Sequence, residues 1–198
     1  MKSFKQHIFE KLKVSVKNTT KHTLFPKTKD ELKQMIKDEI SKNGNECSLN
    51  YIDVGEITDM SQLFLGSKFN GDISEWDVSN VKNMRAMFSR SKFNGDISNW
   101  DVSNVTNMNG TFESSKFNGD ISDWDVSNVK DMRGMFADSD FNGDISKWNV
   151  SNVEDMGVMF CGSKFNGDIS KWKVSSLKRK SLMFFNSPLQ NNKPKWYK

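Results

Sequence analysis

Five aspartates, Asp72, Asp96, Asp120, Asp144 and Asp168, stand 24 residues apart in a 198-residue chain, each directly behind the same Phe-Asn-Gly. Carboxylates at a fixed period stack into a column when the chain coils, and a column of hard oxygen ligands is what Ca2+ takes. Such carboxylates, about 5 Å apart, repel unless something compensates them. Two chemistries therefore compete: calcium held between coils, or carboxylates that accept hydrogen bonds from turn N–H groups. The Asn-Gly before each Asp favours the second, so the expectation is a structural ladder with no metal and no cofactor. A parallel column, Asn80, Asn104, Asn128 and Asn152, reads as one that satisfies backbone groups at a corner.

Covalent and acid–base chemistry finds little material. His7 and His22 both precede the repeats, no Ser-His-acid grouping assembles, and Cys47 and Cys161 lack metal-ligand spacing. The two thiols read as small buried apolar groups, and the expectation is that the chain is not an enzyme.

Recognition is better served. Between the apolar positions of each repeat, two outward columns vary: Glu75, Asn99, Asp123, Lys147 and Lys171 in one, Asp77, Asp101, Asp125, Asn149 and Lys173 in the other. Their character passes from acidic to basic along the chain. A constant interior beside a varied exterior is the pattern of a repeat protein that binds a protein partner along one face.

The elements that must carry these columns follow from the repeat. Units begin at Phe69, Phe93, Phe117 and Phe141 without a gap, a degenerate one spans 165–188, and fragments extend the register to Leu49 and Trp196. All six tryptophans occupy one position, with Trp76, Trp100, Trp124, Trp148 and Trp172 as the structural ladder of the repeats. Within a unit, Ile73, Trp76 and Val78 alternate toward their end as in a short half-buried strand. Val81, Met84, Met87 and Phe88 are spaced as on one face of a short helix. Asn70-Gly71 is read as the turn back to the next strand. The expected fold is an α/β repeat solenoid, leucine-rich-repeat-like, whose 24-residue coils each pair a short parallel strand with a short helical turn.

Three segments are expected: a basic arm at 1–25, an N-terminal capping helix at 26–48, and the repeats at 49–198 with a partial C-terminal cap from 189. The helix is marked by Leu32, Met35, Ile36 and Ile40, with Thr28 or Asp30 as N-cap and Gly44 as stop. Charge follows the same division, with net +6 over 1–28, −10 over 29–170 and +8 over 171–198. The basic end offers a surface for nucleic acid or an anionic membrane. It reads equally as an ordinary soluble cap, and with no nucleic-acid fold in the pattern and the tryptophans assigned to the core, nucleic acid is not expected as a partner. No apolar run approaches a membrane span, and no signal peptide is legible at the start. That reading alone points to the cytoplasm, and the molecule is expected to be a monomer.

The phrases DVSNV-x-[ND]-M-x-x-M/T-F and FNGDIS-x-W resemble the BspA-like leucine-rich-repeat surface proteins of bacteria, including a repeat known in mycoplasmas as a domain of unknown function. The general pattern L-x-x-L-x-L-x-x-N is approached by Ile73, Trp76, Val78 and Asn80, with the Asn one place early. The resemblance implies a non-catalytic, adhesin-like protein-binding module at the bacterial surface, with an intracellular adaptor or effector as the alternative.

Overall fold

The computed structural model describes residues 22–198; most of the expected basic arm lies outside them. One α-helix, α1 (Lys29–Asn43), and one 3₁₀ turn, Pro188–Gln190, are the helical elements among the described residues. Thr28 caps α1, its Oγ1 accepting from the Glu31 N–H at 3.2 Å, and Gly44 ends it at φ 85°. Leu32 and Ile36 are the buried side of the helix, and they belong to the same apolar core as the first coil.

The remainder is a stack of 24-residue coils made of turns, which overturns the expected α/β, leucine-rich-repeat-like architecture. Where a strand was expected, Trp76 N–H bonds back to Ile73 C=O and Val81 N–H to Val78 C=O, closing two successive β-turns. Donors spent locally are not available for a ladder. Where a helical turn was expected, three overlapping turns run through 84–91, closed by Met87 to Met84, Ser89 to Ala86 and Ser91 to Phe88. The third residue of the first and last of these, Ala86 and Arg90, has φ of 53° and 57°. A left-handed residue at every fourth position cannot continue a right-handed helix.

That conformation turns alternate peptide groups along the stack. N–H groups of Met84, Ala86, Phe88 and Arg90 donate to C=O of Asn107, Asn109, Thr111 and Glu113 in the next coil. The same four-bond row joins every successive pair of coils from Met60 to Phe185, at 2.7–3.0 Å. Isolated parallel bridges mark its start, linking Asp59, Asn83, Asn107, Asp131, Asp155 and Arg179 in sequence.

Phe-Asn-Gly is also not the turn it resembles. Residues 67–73 carry neither turn nor helix, and Gly71 and its equivalents are absent from the positive-φ positions. The glycine is required sterically: a Cβ on Gly95, Gly119 or Gly143 would lie 2.8–2.9 Å from the ring of the Phe two residues earlier.

The interior is aromatic. Phe64, Phe88, Phe112, Phe136, Phe160 and Phe184 stack at centroid distances of 5.4–6.0 Å. The series from Phe69 to Phe165 stacks at 6.2–6.3 Å. Both series are buried, as are Val81, Met84 and Met87 between them.

Candidate functional site

The polar columns separate into groups consumed by the architecture and groups left at the surface. In the Asp column, Oδ1 of Asp72, Asp96, Asp120, Asp144 and Asp168 accepts from the backbone N–H of the Ser two residues on, at 2.8–3.0 Å. The hydroxyls of Ser74 and Ser98 donate to the same oxygens. These bonds hold the carboxyls of Asp96, Asp120, Asp144 and Asp168 below their ordinary range, with the backbone N–H as the largest cause. The like-charged neighbour in the next coil pushes Asp96 and Asp120 the other way and is the weakest influence on each. No group of three or more His, Cys, Asp or Glu among the described residues is arranged to hold a metal ion.

Side-chain amides join the coils on the sides that lack the backbone row. Asn70 Oδ1 accepts the Asn94 N–H, and the relation repeats at Asn118, Asn142 and Asn166 at 2.7–2.8 Å. Asn80, Asn104, Asn128 and Asn152 each donate Nδ2 to a carbonyl 25 residues earlier. Each tryptophan from Trp76 to Trp196 donates Nε1 to a carbonyl 27 residues earlier, at 2.8–3.1 Å. A buried indole thus has its one donor satisfied.

The two varied columns lie on a series of turns instead of a sheet face, the first inside the Ile73–Trp76 turn and its equivalents and the second in the link to the following turn. Glu75, Asn99, Asp123, Lys147 and Lys171 are all exposed, and so are Asp77, Asp101, Asp125, Asn149 and Lys173. Asp77, Asp101, Asp125 and Asn149 are partly committed, each accepting from the N–H of the Ser two residues on. Hydrogen bonds from Ser103 lower the Asp101 carboxyl, its hydroxyl contributing most. Lys147 and Lys171 line one cleft together with Asp144, Ser146 and Asp168. The second column thus carries, from Asp77 to Asn149, a repeated turn bond that fixes part of each side chain.

His22 lies 3.6 Å from Asp53 at the first coil, whereas His7 falls outside the described residues. Cys47 and Cys161 are free and half-buried, and burial raises both thiols. Sequence reasoning expected a cap at each end of the stack but not the apolar surface left there. At one, a cleft of about 610 Å³ opens between α1 and the first coil, lined by Ile36, Ile40, Leu63, Phe64 and Leu65 among others. At the other, Leu182 and Phe185 are large, apolar and 60% and 57% exposed. The available signal was their departure from their columns, which hold Gln62, Ala86, Gly110, Gly134 and Val158 for the first and Leu65, Ser89, Glu113, Ala137 and Cys161 for the second. No helix among the described residues is long and apolar enough to cross a membrane.

The sequence profile described as Mycoplasma protein of unknown function, DUF285, matches residues 30–140 and 90–196. No curated protein and no solved structure matches the chain.

Proposed function

We infer from the surface of this chain, which belongs to the Mycoplasma DUF285 family, that it is a non-catalytic repeat module that binds a protein partner along these turns. The observation that carries this reading is the division within each coil. Phe, Trp, Met, Asp72-type and Asn80-type positions recur and are tied into the core or the backbone. The exposed Glu75, Asn99, Asp123, Lys147, Lys171 column changes sign along the stack. Charge graded along a rigid edge steers a partner and fixes its register.

The carboxylates that repeat in register are engaged by Ser N–H and hydroxyl donors, which supports a structural reading of them over a catalytic one. The molecule acts as a monomer in this reading, without metal or cofactor. The finer proposal is the adhesin-like, BspA-type role at the bacterial surface that the repeat motif suggests. Its test is protease treatment of intact cells: loss of the full-length chain supports surface display, and full protection replaces it with an intracellular adaptor or effector.

The binding edge is tested by reversing Lys147→Glu and Lys171→Glu together and repeating an affinity capture with the whole chain. Both side chains are exposed, so melting should be unchanged while partner recovery falls about tenfold, the order expected from steering and rim charges. Equal recovery from both proteins would remove this edge as the site.

A further inference from the structure

The four-bond row that joins the coils has a direction: donors of one coil meet carbonyls of the next. In the last described coil these donors are the N–H groups of Lys180, Leu182, Phe184 and Asn186. Asn186 N–H, the fourth of its row, is met by Gln190 Oε1 from the 3₁₀ turn at 2.5 Å. The N–H groups of Lys180, Leu182 and Phe184, the first three, have no acceptor among the described residues.

The C-terminal segment caps only part of this end. Trp196 continues the tryptophan ladder and donates to Ile169 C=O, and Tyr197 lies edge-on to Phe184 with centroids 4.9 Å apart while its hydroxyl donates to Lys180 C=O. Leu182 and Phe185, beside the unmet donors, stay uncovered. Leu182 is held at φ 56°, the left-handed conformation of its column equivalents Gln62, Ala86, Gly110, Gly134 and Val158.

Charge selects the occupant. Residues 171–198 carry eight basic groups and no acid. Lys178 and Arg179 are paired to Glu154 and Asp155 of the preceding coil, Lys180 donates its ammonium to Lys198 O, and the ammonium groups of Lys180 and Lys193 lie 4.9 and 5.5 Å from the Tyr197 ring centroid. A second copy stacked head to tail would need its own carbonyl edge, at residues 59–65. There α1 lies alongside, with Lys29 Nζ bonded to Ser61 Oγ at 2.5 Å. Two C-terminal ends facing each other would bring donors to donors and like charge to like charge.

We propose that this C-terminal edge docks an acidic polypeptide segment whose backbone carbonyls accept from Lys180, Leu182 and Phe184 and whose apolar side chains cover Leu182 and Phe185. The mode is edge addition, in which backbone bonds supply affinity and flanking side chains supply selectivity. It is independent of the turn surface proposed above.

The probe is a 14-residue peptide with the sequence of residues 128–141, which accepts this row inside the protein, carrying Lys130→Glu and Arg133→Glu to make it acidic. Binding is followed by titration and by amide hydrogen exchange on the whole chain. The expected result is at least tenfold slower exchange at 180, 182 and 184 when the peptide is bound. A Leu182→Gly variant, which suits the backbone, should melt no lower than the parent and bind at least tenfold more weakly. No binding at millimolar peptide, binding without slowed exchange at these amides, or equal affinity for Leu182→Gly would each overturn the proposal. So would capture of only a single-stranded oligonucleotide or phosphatidylserine vesicles, or concentration-dependent dimerisation that Leu182→Gly abolishes.

Discussion

Single side chains in this protein are judged by what the adjacent coils do with them. Trp124 is 4% exposed and donates Nε1 to Ile97 C=O at 3.1 Å. Trp124→Ala should lose about 3–5 kcal/mol through the cavity it leaves, measured by urea unfolding. Trp124→Phe, which keeps most of the bulk but leaves the carbonyl without its indole, should lose less. Gly119 gives a second case, since a Cβ there would meet the Phe117 ring at 2.9 Å and the Gly95 carbonyl oxygen at 3.5 Å. Gly119→Ala should cost about 1–3 kcal/mol as overpacking. Had the glycine served only a turn, the same substitution would have been tolerated wherever φ is negative.

Elements here are turns and one helix, and their stability is set by capping bonds. Thr28→Ala removes the acceptor for the Glu31 N–H and should cost about 1 kcal/mol, read as a lower Tm. The aspartate turns make the stack sensitive to acid. Carboxyls of Asp96, Asp120, Asp144 and Asp168 are depressed by their Ser N–H donors, and Asp140 by Lys164 and then Lys116 on either side of it. A depressed folded value means that the unfolded chain takes up these protons first as pH falls. Their contribution is complete above the ordinary carboxylate value of about 3.9 and is lost as pH drops through the lower folded values. Tm should therefore be flat from about pH 7 to 5 and fall steeply below about pH 4. A Tm that declined already between pH 7 and 5 would contradict this assignment.

At the scale of the whole molecule, each coil meets its neighbours through one repeated set of bonds, so register matters more than length. Removing residues 93–116, one full period, should leave a cooperative fold of lower Tm with the same circular dichroism shape. Removing 93–108 should abolish cooperative melting, because Phe, Trp and Asn ladders would no longer align. Chelator or added calcium should leave Tm unchanged if the aspartate column is purely structural.

Much of this was legible in the sequence. A strict period puts like residues in like places, so the aromatic ladders, the aspartate and asparagine columns and the exposed Glu75 and Asp77 series could be assigned to inside or outside without coordinates. A helix within 26–48 could be expected from Gly44 and the apolar spacing before it, but whether Thr28 or Asp30 capped it was open until the Glu31 N–H was seen on Thr28. The path of the backbone within a coil could not, because apolar spacing reports which side chains point inward and not how the chain travels between them. Ile73, Trp76 and Val78 bury themselves from turns as well as they would from a strand, and Met84, Met87 and Phe88 do so without a helix. Positive φ at Ala86, Arg90 and Val158 runs against the local preference of those residues. It is imposed by a row of four hydrogen bonds to the next coil, an interaction that exists only once the coils are stacked. The open donors at Lys180, Leu182 and Phe184 have the same origin: sequence set the number of coils described here, and tertiary structure alone decided which backbone groups the last one leaves unmet.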